Sequence, residues 1–501
     1  MATTQDGRLM AIYTPLGKDF LLINKFEAEE GLSYLFKFEV ELLHEEAEAD
    51  TRPTAVDPAG IIGQAVTVAF DQRDGTLREF TGIVNRFSQG YRDTRFSFYN
   101  ATIVPHVWIL TQRINSRIFQ NLSVPDILRE IFSGFEVSYQ VQRTYEKRNY
   151  CVQYRESDFD FASRLMEEEG IYYFFEHKDG KHKLIVADTP QSHPDCPSKS
   201  SIPFFAGYMG GNEDFITTIS AWKTNHKYQT GKVSLWDFNF QLPTNKLDLS
   251  QESGFSLGDN QKLELYDYPG GYGRKYDGID ASGGEQSREL NRVFSDRAAT
   301  VTNMVNMLDS QVRVLNGVSD CSSLTSGYKF SLTDHPVSTE NGVYVVTRVS
   351  HQAEQNPTYI TDDQSERSYS NKFRCIKHGA GAPQYRPPRK TAKPKVEGSQ
   401  TAFVVGPSGE EIFTDKYGRV KVQFHWDRVG QVDSTSSCWV RVAQMWAGNK
   451  WGTTFIPRIG MEVIVNFLEG DPDQPIIVGC VYNPQTMPPY TLPDEKTKAT
   501  I

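Results

Sequence analysis

Few residues in this sequence have types and spacings that could carry chemistry. Ser256 stands in a Gly-x-Ser-x-Gly pattern. In hydrolases this pattern holds a nucleophile on a strained turn between a buried strand and a helix. The residues before Ser256 are mixed polar, and residues 261–266 alternate like a strand. The sequence therefore predicts that Ser256 is not catalytic.

Three consecutive glutamates, Glu167 to Glu169, could supply carboxylates for acid–base chemistry. General acid catalysis needs a carboxyl group in an apolar or like-charged pocket. Consecutive residues of a helix point in different directions, so these side chains cannot flank one bond as a pair. We interpret them as a solvated helix end. Since acids near a helix C-terminus are unfavourable, we expect a basic partner such as Arg164.

The sequence His425-Trp426-Asp427 invites a metal-site interpretation. However, His425 falls on the polar face of a predicted strand, and no second His or Cys lies at ligand spacing. This polar face also includes Arg419, Lys421 and Gln423. The apolar face consists of Val420, Val422, Phe424 and Trp426.

Exposed tryptophans could stack nucleic-acid bases. The candidates are Trp426, Trp439, Trp446 and Trp451. Trp426 shares the apolar face of its strand, so core packing is the better interpretation for that residue. We predict no catalytic residue, no cofactor and no metal ligand, because the sequence contains no CxxC, HExxH or Walker pattern.

The composition predicts a multidomain globular protein that is mainly β with some helix. The chain has 501 residues and a net charge of −10, and this acidic balance argues against nucleic-acid binding. No apolar run approaches the ~20 residues that span a bilayer, and no signal peptide is evident. We expect free thiols in a reducing cytosol. The six cysteines are Cys151, Cys196, Cys321, Cys375, Cys438 and Cys480.

Local patterns place the elements. The first hundred residues alternate as strands and predict a β-barrel-like domain. One helix should begin at Ser123, and a second should run from Ser157 to Gly170, with a buried strand at residues 171–175. A third helix should carry Leu290, Phe294, Val301, Val305 and Leu308 on one side.

The C-terminal third combines a Pro-rich segment with more strands. Residues 376–402 are Pro-rich and basic, which predicts a stiff, solvated linker. Several short strands follow and suggest a small barrel. Residues 475–482 are almost continuously apolar and predict a strand covered on both sides.

Motifs along the whole chain resemble the VgrG spike family of type VI secretion systems. Residues 415–427, 439–442, 460–463 and 470–475 resemble its OB-fold domain, which is related to that of phage tail spikes. Residues 149–174 and 327–351 resemble its phage-tail-hub-like domain. The matching positions expected to carry the structure are Arg155, Asp158, Gly170, His335, Pro336, Tyr417, Gly418, Trp426, Trp439, Gly460, Val463, Gly470, Pro472, Pro475 and Gly479.

The resemblance implies a division of the chain. Residues 1–375 would form a hub of β-barrel-like subdomains with inserted helices. Residues 376–402 would link it to an OB-fold domain at 403–485. Residues 486–501 would begin a β-helix needle that is truncated or absent here, and the alternation of Thr497, Ala499 and Ile501 suits its first strand.

The resemblance also implies a structural role and not an enzyme. Three copies would form a spike on a hexameric Hcp tube ring, under a PAAR tip protein and next to baseplate components. The spike would deliver effector proteins. It would cross the target membrane mechanically, after cytoplasmic assembly and without a signal peptide. The alternatives are a baseplate-associated cell-wall hydrolase and a phage tail hub protein.

Overall fold

A computed structural model describes residues 3–46, 56–72, 76–206, 217–355, 358–359 and 369–500. The described chain consists mainly of strands with three α-helices, which confirms the predicted fold class. Three barrels, a helical unit and an insert can be followed in chain order.

The first barrel contains six strands, in the order β1-β4-β5-β6-β3-β2. The strands are β1 (Met10–Tyr13), β2 (Leu22–Gly31), β3 (Tyr34–Glu45), β4 (Ala65–Asp71), β5 (Leu77–Arg92) and β6 (Phe96–Val104). The Gln5 side-chain oxygen accepts hydrogen bonds from the backbone of Ile12 in β1 and Ile23 in β2, at 2.9 and 3.2 Å. A side chain thus spans the seam between the two edge strands, where unpaired backbone groups would otherwise remain.

Aromatic rings fill the first barrel. Phe26, Phe38, Phe70 and Phe80 are at most 1% exposed. The Phe26 ring centroid lies 4.9 to 5.9 Å from the other three, in tilted and edge-on arrangements. Such pairs add to the large apolar area that each ring buries.

A helical unit follows the first barrel. Its elements are β7 (Ile114–Phe119), α1 (Val124–Ile131), β8 (Val137–Gln140), β9 (Cys151–Ser157), α2 (Asp158–Glu169), β10 (Tyr172–Lys178) and β11 (Lys181–Ala187). Ser123 and Asp126 form a capping box on α1, and Ser157 caps α2. Gly170 ends α2 with φ of 69°. Both predicted helix starts, the predicted stop and the buried strand are confirmed.

The second barrel is interrupted by an insert. It begins with β12 (Ser201–Pro203) and β13 (Ile219–His226). The insert then contributes β14 (Lys232–Leu235), β15 (Leu249–Glu252), β16 (Glu264–Asp267) and α3 (Arg292–Asp309). The barrel resumes with β17 (Arg313–Ser319), β18 (Lys329–Thr333), β19 (Gly342–Glu354) and β20 (Tyr369–Lys377).

Pairing closes the second barrel and joins it to the first. The strand order β18-β19-β20-β17-β13 continues through a bridge between Ile219 and Phe204 to β12, which pairs with β18. In addition, β19 pairs with β2 over residues 348–354. Both barrels therefore share one continuous sheet. The predicted third helix is confirmed as α3, which packs its buried apolar residues on the insert's small sheet. Leu290, which was predicted on the same side, lies in the turn before the helix.

The C-terminal barrel has the strand order β22-β21-β24-β25-β23, closed by a bridge between Val420 and Val440. Its strands are β21 (Gln400–Val405), β22 (Lys421–Phe424), β23 (Arg441–Val442), β24 (Glu462–Phe467) and β25 (Pro475–Val481). Lys421 and Gln423 are buried, so the predicted solvated polar face of β22 is wrong. The loop at residues 427–437 covers them, since the Lys421 ammonium donates to the Ser434 carbonyl.

Strand β25 was predicted to be buried on both sides, but only one of its sides is buried. Ile477 is 1% exposed, whereas Val478 is 45% exposed and Tyr482, next to the strand, is 64% exposed. Apolar composition alone therefore overestimated its burial, because one face of β25 lies on the outside of this barrel.

Residues 376–402 differ from the solvated linker that their composition predicts. Residues 376–377 extend β20, and residues 400–402 begin β21. Between them, Arg386 and Val396 are buried. We call residues 378–399 the connecting segment. Further on, residues 491–500 form turns and coil and not the strand that their alternation suggests, and Ile501 lies outside the described residues.

Candidate functional site at the junction of the barrels

The glutamates at the end of α2 lie in a network of charges. Arg148, whose side chain is 5% exposed, donates to the Glu168 carboxylate at 2.8 Å and to the Glu169 carboxylate at 2.5 Å. Losing one partner would leave the other charge poorly hydrated, which is costly. The predicted solvated helix end is therefore wrong, because the loop before β9 brings a buried guanidinium against it.

Arg164, the partner suggested by the sequence, is mainly engaged elsewhere. Its guanidinium binds Glu156 at 2.7 Å, whereas its distance to Glu168 is 3.8 Å. It also donates to the Val152 carbonyl. Arg164 therefore fastens α2 to β9, and its contact with Glu168 is secondary.

The network continues into the insert and the C-terminal barrel. Lys275 of the insert lies 3.5 Å from the Glu169 carboxylate. Lys393 of the connecting segment binds Asp471 at 2.7 Å and Asp473 at 2.6 Å, in the loop before β25. The helical unit, the insert, the connecting segment and the C-terminal barrel thus meet around the end of α2.

The connecting segment also caps α2. Arg386 donates to the carbonyls of Gly170 and Asp188 at 3.0 and 2.6 Å. The Glu167 carboxylate accepts the backbone N–H groups of Lys390 and Thr391, each at 2.9 Å. Positive groups and donors at this end offset the negative pole of the helix and its three acidic side chains.

A second ionic contact joins the insert to the C-terminal barrel. Arg419, next to β22, donates two hydrogen bonds to Asp277 at 2.7 and 3.0 Å and one to Asp415 at 2.7 Å. All three residues are buried. The Trp439 indole N–H donates to the Asp280 carbonyl at 2.7 Å. A forked guanidinium contact fixes orientation as well as distance, so it sets how the two parts face each other.

The neighbouring positive charges keep Glu168 and Glu169 ionised by lowering the pKa of each carboxyl group. Burial acts to raise the pKa of Glu168, but Arg148 and Lys393 lower it well below its usual range. At Glu169, burial is likewise opposed by Lys275 and Arg148, and the pKa is lowered. A general acid needs a raised pKa, so neither group can serve as one. The arrangement holds parts of the chain together and is not suited to proton transfer.

Five of the predicted signature residues lie at this junction. Gly170 leaves room for Arg386, since a Cβ there would lie 2.8 Å from the arginine side chain. The Gly470 carbonyl accepts a hydrogen bond from Val396, and Pro472 is buried between two aspartates of the network. Tyr417 packs edge-on against Phe240 of the insert, 5.3 Å between centroids. The fifth is Trp439.

Asp158 and Arg155 lie at the start of α2. Asp158 is fully buried and accepts hydrogen bonds from Arg113, Arg117 and Gln153. Arg155 is exposed and has φ of 50°, and a register shift in the pairing of β7 with β9 leaves it unpaired as a β-bulge. These residues order the helical unit and do not reach the junction network.

The remaining signature residues support local structure. Gly418 and Gly460 have positive φ in turns, and Val463 and Trp426 pack in or against the core of the C-terminal barrel. Pro475 and Gly479 belong to β25. His335 and Pro336 lie in the turn between β18 and β19 of the second barrel. The structure does not bring this group together.

The other chemical candidates gain no support. Ser256 is exposed in a loop without the strand–turn–helix setting of a nucleophile. His425 is exposed and contacts Thr401. Trp446 and Trp451 are more than half exposed and contact each other edge-on at 5.2 Å, whereas Trp439 is 6% exposed.

Within the described ranges, no group of three or more His, Cys, Asp or Glu side chains could hold a metal ion. No described helix is long and apolar enough to cross a membrane. All six cysteines are free, and only Cys480 is exposed.

Comparison with known proteins identifies the family. A model of the phage tail baseplate hub matches residues 29–357, and a model of the type VI secretion system/phage-baseplate injector OB domain matches residues 412–482. The type VI secretion system spike protein VgrG1a of Pseudomonas aeruginosa is 37% identical over 499 residues, which cover 98% of this chain and 72% of that protein. The chain belongs to the VgrG spike family.

Other relatives agree with this membership. VgrG1b of Pseudomonas aeruginosa is 38% identical over 504 residues, covering 100% of this chain. The chain spans 63% of the length of VgrG1b, less than two thirds. The E. coli c3393 protein, a type VI secretion component described as similar to the T4 tail proteins gp27 and gp5, shares the fold. Its TM-score is 0.62 at 18% identity, over 94% of this chain and 99% of that one.

Sequence reasoning missed most of the junction residues. The clearest signal in the sequence was the run of acidic residues at the C-terminal end of α2. Acidic side chains are unfavourable there, so positively charged partners were to be expected. This signal did not reveal Arg148, Lys275, Lys393 or the Arg419–Asp277 contact, because each partner comes from a distant part of the chain.

Proposed function

We propose that this chain forms the hub and neck of a type VI secretion spike and acts as a homotrimer. The observation that supports this proposal most directly is that two barrels share one sheet through β2 and β19. Three such chains would offer six barrels around one axis. This number suits a hexameric Hcp tube ring, because each subunit of the ring could then face one barrel.

The junction supports a mechanical role. The C-terminal barrel is fastened to the rest of the chain by ion pairs on two sides, a buried one through Arg419 and a partly exposed one through Lys393. A neck held in this way would transmit a push from the hub without bending. We assign residues 1–375 to the hub and residues 403–485 to an OB-fold neck, with residues 376–402 fixed between them.

The wider role follows from family membership. We propose that the spike carries a PAAR tip protein and effector proteins, is assembled on baseplate components in the cytoplasm, and leaves through the secretion machine. It would cross the target membrane by mechanical force, and it would bind no nucleic acid. The named type VI relatives favour this role over a phage tail hub. We assign no catalytic role to Glu168 and Glu169, because both carboxylates are ion-paired with Arg148.

Light scattering after size-exclusion chromatography tests the assembly. We expect a mass of three times 56.8 kDa, with dissociation on dilution. Electron micrographs should show a disk narrowing at one end, and purified Hcp rings should bind the disk. A compact monomer at high micromolar concentration would contradict the proposal, and a dimer would require a different hub arrangement.

A further inference from the structure

A small pocket lies between the insert and the C-terminal barrel, beside the Arg419–Asp277 contact. Its volume is about 100 Å³. Its lining includes Arg274 of the insert, Arg441 of β23 and the ring of Phe240. Cofactor and drug-like sites usually occupy roughly 300–1,000 Å³, so this pocket suits a single small group.

Two guanidinium groups of this pocket lack a counter-ion. Arg441 lies over the Phe240 ring, 4.7 Å from its centroid. Arg274 makes two hydrogen bonds of 3.4 Å to neutral oxygens, those of Phe238 and Tyr268. In the part of the chain that the structure describes, neither guanidinium pairs with a carboxylate. Burial, followed by the nearby Arg419 and Arg274 charges, lowers the pKa of Arg441.

The carboxylates that line the pocket are already engaged. Asp277 accepts both nitrogens of Arg419 and the side-chain amide of Gln241. Asp473 accepts Lys393 and the backbone N–H of Val152. Arg274 is half-buried and Arg441 is exposed at the rim, so two guanidinium groups without a direct carboxylate partner border this partly enclosed space.

We propose that this pocket binds one oxyanion group, a phosphate or a carboxylate, between Arg274 and Arg441. The planar guanidinium group can donate two hydrogen bonds to the oxygens of such a group. Stacking on Phe240 fixes the orientation of the Arg441 guanidinium before the anion binds. The oxyanion has two potential sources, a free small anion or an acidic side chain from a second copy of this chain. The site itself does not depend on the spike role.

Calorimetric titration of the full chain with inorganic phosphate, and separately with glutarate, tests the free-anion source. We expect saturable binding of one anion per chain. Arg274→Ala and Arg441→Ala should each weaken it about tenfold, because each removes a charge-assisted hydrogen bond. Arg441→Lys keeps the charge but loses the planar guanidinium, so its anion affinity should lie between those of wild type and Arg441→Ala. Intermediate binding would show that the loss in Arg441→Ala is not caused by misfolding. Arg458→Ala, an exposed arginine of the same barrel, should bind like the wild type.

Light scattering on the same variants tests the second source. If wild type binds neither anion, but both alanine variants dissociate at higher protein concentrations than wild type and Arg458→Ala, the oxyanion belongs to a second copy. Equal anion binding by wild type and both variants would overturn the proposal. So would the absence of binding together with unchanged dissociation. A monomeric wild type that still binds phosphate would refute the trimer and leave this site intact.

Discussion

The first barrel and the junction are both buried, but the barrel is held mainly by aromatic packing and the junction mainly by charge. Phe26, Phe38 and Phe80 fill the barrel with rings. One buried charged group, in which Glu30 binds Arg78 and His351, lies beside the Phe80 ring. At the junction, Arg148 and Glu168 are held by charge and by hydrogen bonds. Apolar packing depends on volume and tolerates small rotations, whereas a forked ion pair loses its bonds when the parts turn. The barrels therefore supply stability, and the junction sets orientation.

The largest effect should come from emptying the barrel core. Phe38 is fully buried and stacks on Phe36 at 4.4 Å. Phe38→Ala removes this packing and leaves a cavity, so the free energy of unfolding should fall by about 3 to 5 kcal/mol. Urea unfolding followed by intrinsic fluorescence measures the loss.

Tyr13→Ala is the matched control, since Tyr13 is 54% exposed on the same barrel. It should change the free energy of unfolding by no more than about 0.5 kcal/mol. Similar losses for the two variants would mean that the aromatic core does not carry the barrel's stability.

A smaller, more local effect should follow from breaking the junction. Arg148→Met leaves Glu168 and Glu169 without their main partner. The cost should be about 3 kcal/mol, at the low end for a broken buried pair, because the Glu168 side chain keeps 25% of its exposure. Hydrogen exchange should accelerate at Thr391 and Val396, whose N–H groups are bonded across the junction, and not in the first barrel.

Arg129→Met gives the surface counterpart. Arg129 is 52% exposed and pairs with Asp126 on α1. Its removal should cost at most about 1 kcal/mol. If Arg148→Met instead accelerates exchange evenly through both regions, the barrel and the junction unfold as one unit and the contrast between them fails.

The smallest expected effect is a difference in acid sensitivity, since mild acid should destabilise the first barrel more than the junction. Burial lowers the pKa of His182, which faces Phe36 of the first barrel, from 6.5 to about 4. Below pH 6.5 the unfolded chain therefore takes up the proton first, and this group's contribution to stability is lost as the pH falls towards 4. The loss should reach about 1 kcal/mol near pH ~5.5. The junction glutamates, whose pKa values are lowered, stay ionised through this window.

Comparing His182→Phe with His226→Phe over this pH range isolates the effect. His226 is exposed on β13, so its replacement should leave the pH dependence of urea unfolding unchanged. His182→Phe should reduce the slope without abolishing it, because burial also lowers the pKa values of His177 and His351 beside the same core. An equal slope for wild type and His182→Phe would show that the acid sensitivity arises elsewhere.

Local chemistry in the sequence predicted the elements well. Ser123 and Ser157 cap their helices as expected, and Gly170 ends α2. These features depend on neighbours within a few residues, so a short stretch of sequence contains the necessary information. Burial was harder to predict. Lys421 follows the pattern of an exposed strand residue but is buried, because a later loop covers it and accepts a hydrogen bond from its ammonium group.

The sequence by itself determined the mainly β character, the ends of α1 and α2 and, through its motifs, the family. Only the tertiary structure decided which charges meet. Arg419 and Asp277 are 142 positions apart, and Lys393 reaches Asp473 across 80. A charged residue carries no local sign of its partner, since any of many opposite charges could satisfy it. The fold selects one by bringing it close where water is excluded, and there pairing becomes necessary.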